Sequence, residues 1–202
     1  MKQSVFPTFT ALFVRDFLLT YLPQMNGNIL NIGSGSRTHR DLLVSEAFFV
    51  AVDIKAYSDT DIQASVYQLP FPDETFSAVI ATELLEHLKE PRQAISEIHR
   101  VLKPGGVLLL TVPFLFRVHG DPEDYYRYTK QGLEAMVEDC FQGEVLTCGN
   151  RLTVMMDLLS TSNTKWHIGK ALRVFNRPLF CLVKRIRNSC MPSSIQARLA
   201  KL

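Results

Sequence analysis

Four cysteines in 202 residues, none in a Cys-x-x-Cys pair and none beside a histidine at ligand spacing, give neither a disulfide framework nor a zinc module. Cys140, Cys148, Cys181 and Cys190 read as reduced thiols of a cytoplasmic protein, and no metal site is expected. No apolar run reaches the roughly 20 residues that span a bilayer. The apolar stretch from Val5 to Leu22 is broken by Pro7, Arg15 and Asp16, and no small-residue cleavage site follows, so a secretory leader is not expected. A phosphate loop ending in Gly-Lys-[Ser/Thr] is missing. So is the third glycine of a dinucleotide fingerprint, where Thr38 stands between Arg37 and His39. Repeats and low-complexity tracts are absent too. Acid is nearly absent from the last quarter: residues 151–202 hold 10 Lys+Arg and one carboxylate, Asp157. Residues 1–150 hold 12 Lys+Arg and 19 Asp+Glu, so the overall charge of +2 hides a split of −7 and +9.

What the chain has is a strand–turn–strand signature. The apolar run Ile29-Leu30-Asn31-Ile32 stops at Gly33-Ser34-Gly35-Ser36, and Phe49-Val50-Ala51-Val52 stops at Asp53. Two glycines let the backbone turn sharply and approach a ligand closely. A carboxylate at the tip of the next strand can accept hydrogen bonds from both hydroxyls of a ribose. With dinucleotides and phosphate loops excluded, the pattern suits a nucleoside cofactor without phosphate.

Apolar runs at 28–32, 49–53, 76–82 and 106–113 read as buried parallel strands, and 144–149 as another. Helical patterns fall at 9–22, 38–46, 91–102 and 130–139. The third starts at Pro91, carries Ala94, Ile95, Ile98 and Val101 as its stripe, and stops at Gly105-Gly106. Strands alternating with helices predict an α/β fold, a doubly wound and mostly parallel sheet with ligands at the carboxyl ends of its strands. After 149 no convincing strand is visible. Phe180–Val183 is short and preceded by Pro178, and 193–202 is polar and basic. The seventh strand is therefore expected to be either absent or divergent, leaving an exposed edge or a helical replacement. The organisation expected is a ligand-binding domain over 1–150, completed or flanked by a basic, apolar extension over 151–202.

Five segments occur in order and at regular intervals: 29–36, 49–54, Leu69-Pro70-Phe71-Pro72-Asp73-Glu74-Thr75-Phe76, Glu83-Leu84-Leu85-Glu86-His87-Leu88 and Val101-Leu102-Lys103-Pro104-Gly105-Gly106. Over roughly residues 25–142 they resemble class I S-adenosylmethionine-dependent methyltransferases of the methyltransferase type 11 group. A narrower likeness, in Val112-Pro113-Phe114-Leu115 and in 119–129, is to a bacterial branch associated with surface-polysaccharide biosynthesis. The resemblance implies S-adenosylmethionine as cofactor. Gly33, Ser34 and Gly35 would then lie against its methionine and ribose, Asp53 would hold the ribose hydroxyls, and Ile54 would lie against the adenine. Ser65 stands where the family commonly has a carboxylate for the adenine amino group, which leaves the Val66 backbone to meet the ring edge. Asn31 likewise replaces a usual acid. Glu83 faces the cofactor mouth.

On the acceptor side, His119 is the candidate general base, because its ordinary pKa lies near neutrality. Asp121, Tyr125, Tyr126 and Arg127 are candidates to orient a sugar or phosphate-bearing acceptor, Arg127 as a bidentate fork. Each has a structural alternative: 119–122 as a simple turn, Tyr125 and Tyr128 packed beneath the loop, Arg127 paired with Asp124, and His87 and Glu86 as packing or capping groups. Residues 165–188 mix aliphatic and aromatic with basic side chains, which suits either an anionic membrane surface or a packed helical extension. Nucleic acid is disfavoured, because the bases alternate with aliphatics rather than with stacking aromatics. The expected activity is methyl transfer to a glycan or lipid-linked sugar. The alternatives are methylation of a quinone-like metabolite, or cofactor binding without turnover.

Overall fold

The computed structural model describes residues 7–36, 38–43, 47–119, 123–161, 176–183 and 192–202. Seven strands form one sheet: β1 Asn28–Ile32, β2 Phe48–Asp53, β3 Ile62–Gln63, β4 Phe76–Thr82, β5 Leu102–Pro113, β6 Phe141–Cys148 and β7 Ser194–Lys201. Their order is β3-β2-β1-β4-β5-β7-β6, parallel from β3 to β5, with β7 antiparallel to both β5 and β6. From β1 the chain steps outward to β2 and β3, then returns past β1 to β4 and β5. The order thus reverses between β1 and β4, and a crevice opens there at the strands' carboxyl ends.

Helices cover both faces, as the two-sided apolar strands require. Alternation divides each strand: Leu30, Val79, Leu108 and Leu110 join one core with Ala94, Ile95, Ile98 and Val101 of α2 (Pro91–Val101) and Leu133 of α3 (Lys130–Val137). Ile29, Ala78, Ile80 and Leu109 turn the other way, against Val14, Phe17 and Leu18 of α1 (Phe9–Tyr21). The side chain of Thr8 caps α1 by accepting from the Ala11 N–H at 3.2 Å. On α2, Arg100 and Glu97 grip the 69–73 segment. Glu97 accepts from the Leu69 N–H at 2.7 Å, while Arg100 donates to the Phe71 carbonyl and to Asp73.

Two expectations are corrected. Residues 38–46 do not form a helix in their described part. His39 takes a left-handed φ of 56°, which an α-helix cannot continue, and only a 3-10 turn, Arg40–Leu42, follows. Side chains hold this connection instead: the Asn31 amide donates to the Thr38 carbonyl at 2.9 Å, and Arg40 donates to Asp61.

The second correction concerns the seventh strand, which is present as β7. Ile195, Ala197 and Leu199 alternate into the core, and partners on both sides satisfy the backbone of the polar residues between them. Gln196, polar like much of this tail, is buried and donates to the Phe13 carbonyl. Phe180–Val183 belongs to a helix, α5 (Asn176–Val183), and Phe180 packs edge-on against Phe13 at 4.9 Å. Most of the basic, apolar stretch 165–188 otherwise lies outside the described residues. Among the described residues, no helix is long and apolar enough to cross a membrane.

Candidate active site

The turn after β1 is stapled to β2. The N–H groups of Gly33 and Ser34 both donate to the Val52 carbonyl, at 2.9 and 3.3 Å. Gly33 has a φ of 66°, and a Cβ there would lie 2.7 Å from Leu84 Cδ1, so the position admits only glycine without a shift. Gly35, at φ 54°, faces open space, with nothing within 4 Å of the point a Cβ would occupy. Its N–H donates to Asp53 Oδ2 at 2.8 Å, while the Lys55 N–H donates to Oδ1 at 2.9 Å. The two motif halves, 18 residues apart, thus meet in one hydrogen bond. Each Asp53 oxygen keeps a lone pair for a further donor.

Beside this turn, the Ser34 hydroxyl is buried without a hydrogen-bond partner. The Ile54 side chain next to Asp53 is 60% exposed, an apolar surface facing water. Ser65 accepts from the Tyr67 N–H at 3.2 Å, and Val66 turns its side chain into the core, which leaves its backbone for a ligand.

Glu83 closes the crevice from β4. It sits just past the strand at φ 51°; its N–H donates to the Thr111 carbonyl, and its Oε1 accepts from the Thr111 hydroxyl at 3.0 Å. Burial pushes its pKa up to about 7, against the hydrogen bond from Thr111 and the charge of Arg127, which favour ionisation. The sign of the resulting pH dependence is fixed. A carboxyl whose pKa is raised by folding stabilises the fold fully below its unfolded value of 4.5, and that contribution disappears as pH rises to about 7. Glu83→Gln is therefore expected to gain on the wild type between pH 5 and 8, by on the order of 3 kcal/mol. Urea denaturation across that range checks this; a pH-independent difference would contradict it.

After β4 a 3-10 turn, Leu85–His87, meets residues 123–128, which follow β5 in the chain. The Glu86 carbonyl accepts from the N–H groups of Tyr125 and Tyr126, and the Tyr128 hydroxyl donates to the Leu85 carbonyl at 3.0 Å. Tyr125 and Tyr126 are both more than a third exposed, with ring centroids 6.2 Å apart. Arg127 does not offer a free fork. It donates from Nη1 and Nη2 to the two oxygens of Asp124, and also to the carbonyls of Phe116, Arg117 and Tyr126. Its geometry is that of a clamp on this segment rather than of an anion receptor, because every direction of the guanidinium is already used. Asp124 in turn is held well below the usual carboxylate range by Arg127.

His119 lies against Asp124, Nδ1 to Oδ2 at 3.2 Å, and its ring meets that of His87 edge-on at 5.0 Å. Burial lowers its pKa, so the neutral imidazole prevails at pH 7. Asp121 falls outside the described residues. Thr111 and Leu84 escaped the sequence reading, whereas the pairing of Arg127 with Asp124 was one of its two alternatives. For Thr111 a signal existed, a hydroxyl interrupting the aliphatic run of β5 near its carboxyl end.

Comparison with known proteins agrees with this geometry. Residues 30–110 match the family model described as a methyltransferase domain, Methyltransf_11. An uncharacterised methyltransferase of Schizosaccharomyces pombe is 41% identical over 61 residues, 30% of this chain and 22% of that one. The ubiquinone/menaquinone biosynthesis C-methyltransferase UbiE of Teredinibacter turnerae is 35% identical over 104 residues, 50% of this chain and 36% of that one. The match thus spans between about a fifth and a third of these relatives' length. A crystal structure of a SAM-dependent methyltransferase from Archaeoglobus fulgidus superposes with a TM-score of 0.60 at 16% identity, over 96% of this chain and 95% of that one. That likeness concerns the fold alone. Residues 30–110 are thus similar to a methyltransferase domain, and the sheet around them has a Rossmann-like strand order.

Proposed function

We propose that this chain transfers a methyl group from S-adenosylmethionine to a hydroxyl-bearing glycan or lipid-linked sugar. The hydrogen bond joining Gly35 to Asp53, beside a glycine packed on Leu84, carries the reading. The chain's residues fit the cofactor: Asp53 has lone pairs for two ribose hydroxyls, Ile54 an exposed apolar face for adenine, and Ser34 a buried hydroxyl awaiting a partner. Ser65 and the Val66 backbone meet the ring edge. Gly33, Ser34 and Gly35 line the ribose and methionine, and Glu83 closes the mouth.

The cofactor supplies a methyl carbon already activated by a sulfonium. The protein's share is alignment and exclusion of water, a contribution of about 7–11 kcal/mol in favourable cases. Tyr125 and Tyr126 present ring faces and hydroxyls to the acceptor. His119 stands beside it with Nδ1 turned to Asp124, which leaves Nε2 as the reactive atom. Arg127 and Asp124 fix the segment that carries them.

A membrane-facing acceptor is supported by α4 (Arg151–Thr161), whose Leu152, Met155 and Leu159 recur at helical spacing with 40–52% exposure, and by the basic, apolar composition of 165–188. The full chain is expected to sediment with anionic liposomes, and Leu152→Ser/Met155→Ser/Leu159→Ser to stay in the supernatant. Equal sedimentation of both rejects the membrane reading. The second acceptor reading, a quinone precursor, is favoured by the names of the UbiE relatives.

Incubating the protein with radiolabelled S-adenosylmethionine and fractionated lipid extracts separates the acceptors. Label released from lipid by mild acid marks a lipid-linked sugar; label that stays in an acid-stable lipid marks a quinone-like acceptor. Calorimetry showing no heat with S-adenosylmethionine would reject both.

A further inference from the structure

Glu86 is the most deeply buried acid at this end of the sheet, and neither of its carboxylate oxygens finds a hydrogen bond. A buried carboxylate without compensation is costly, so the site calls for a partner that none of the described residues supplies. Its Oε1 lies 3.7 Å from His87 Nε2. Glu86, His87 and His119 each offer one ligand atom, and these atoms lie within 4.8 Å of one another.

Both imidazoles are held from behind. His87 turns Nδ1 to the Glu123 carbonyl. His119 turns Nδ1 to the Arg117 carbonyl and to Asp124, each at 3.2 Å, and Arg127 locks Asp124. An Nδ1–H held by a carbonyl or carboxylate fixes the tautomer and leaves a basic Nε2 facing forward, the arrangement found behind metal-ligating histidines.

We propose that Glu86, His87 and His119 bind one divalent cation of borderline softness, such as Zn²⁺, Fe²⁺ or Co²⁺. Two imidazoles and a carboxylate suit these ions and not Ca²⁺ or Mg²⁺, which prefer oxygen ligands. Ligand atoms about 3.4 Å apart would be needed around a tetrahedral ion with bonds of about 2.1 Å, so the three side chains close by roughly an ångström on loading. Three protein ligands leave at least one position open. His87 and His119 are 16% and 26% exposed, so the open side is accessible from solvent.

Resting on the methyltransferase reading, the ion's role is to hold the acceptor's oxygen beside the methyl donor and to acidify its hydroxyl, whose proton leaves to water through the open side while the oxygen bonds the methyl carbon and the carbon–sulfur bond breaks onto sulfur. His119 then acts through the ion instead of as the base itself.

The test uses the full chain, stripped with chelator and titrated with Co²⁺, followed by visible absorption. One Co²⁺ per chain is expected with a Kd below about 10 μM and without the charge-transfer band of thiolate ligation. His87→Asn, His119→Asn and Glu86→Gln should each weaken binding about a hundredfold or more, and Asp124→Asn about tenfold. His99→Asn, on α2 against Phe141, should not change it. Circular dichroism melts confirm that each variant folds; His119 lies in a segment without helix or strand, so His119→Asn is the variant least able to disturb the fold.

Absence of stoichiometric Co²⁺, a thiolate spectrum, or binding that survives His87→Asn combined with His119→Asn overturns the site. Parallel calorimetry with S-adenosylmethionine keeps the two claims apart. Donor binding without Co²⁺ binding rejects the ion alone, whereas Co²⁺ binding without donor binding keeps the ion and rejects the methyltransferase reading.

Discussion

Replacing Asp53 with alanine is expected to weaken S-adenosylmethionine binding by about a hundredfold or more while the sheet stays folded. Two ribose hydroxyls donating to one carboxylate make two charge-assisted hydrogen bonds, each contributing about 1.5–3 kcal/mol. The same carboxylate also accepts from the N–H groups of Gly35 and Lys55, so its loss frees the turn that lines the ribose. Both effects act in one direction. Asp53→Asn separates them, because an amide oxygen still accepts one hydrogen bond but carries no charge; its loss should be intermediate. Calorimetry on the three proteins, with melting temperatures alongside, decides the matter. An alanine variant that binds within threefold of wild type would remove Asp53 from the cofactor site.

The largest expected effect on stability comes from the opposite face. Asp157 of α4 is fully buried and accepts from the Phe9 N–H at 2.6 Å, the Thr10 N–H at 2.8 Å and the Thr10 hydroxyl at 2.8 Å. It therefore satisfies the free donors at the start of α1, and its charge meets the positive end of that helix. Alanine would leave those donors buried and unpaired, at about 1–3 kcal/mol each. A loss of about 3 kcal/mol or more follows, or roughly 10 °C in melting temperature for a chain of this size. Asp157→Asn retains an acceptor and should lose much less. If alanine and asparagine variants melt together with wild type, the 148-residue link between α4 and α1 contributes nothing to the fold.

The glycine turn, Asp53 and the Pro91 helix were legible because each depends on residues close in sequence. A glycine pair ends a strand wherever it occurs, and Pro91 starts a helix because its missing N–H costs nothing there. Arg127 shows where such reading stops. Its residue type suits either an anion or a pair with Asp124, and only the folded segment decides for Asp124 and shows that three carbonyls take its remaining donors. The segment 38–46 misled for a related reason, since apolar spacing cannot reveal the left-handed turn at His39.

Local order alone determined the strands β1, β2, β4 and β5 and the helices α2 and α3, because hydrophobic period and turn chemistry act over a few residues. Tertiary structure decided two things. A polar tail became β7, since antiparallel neighbours on both sides satisfy its backbone and hide alternate side chains. Glu86, His87 and His119 came together, because strands β4 and β5 lie side by side and bring their carboxyl-end loops into contact across more than 30 residues of chain.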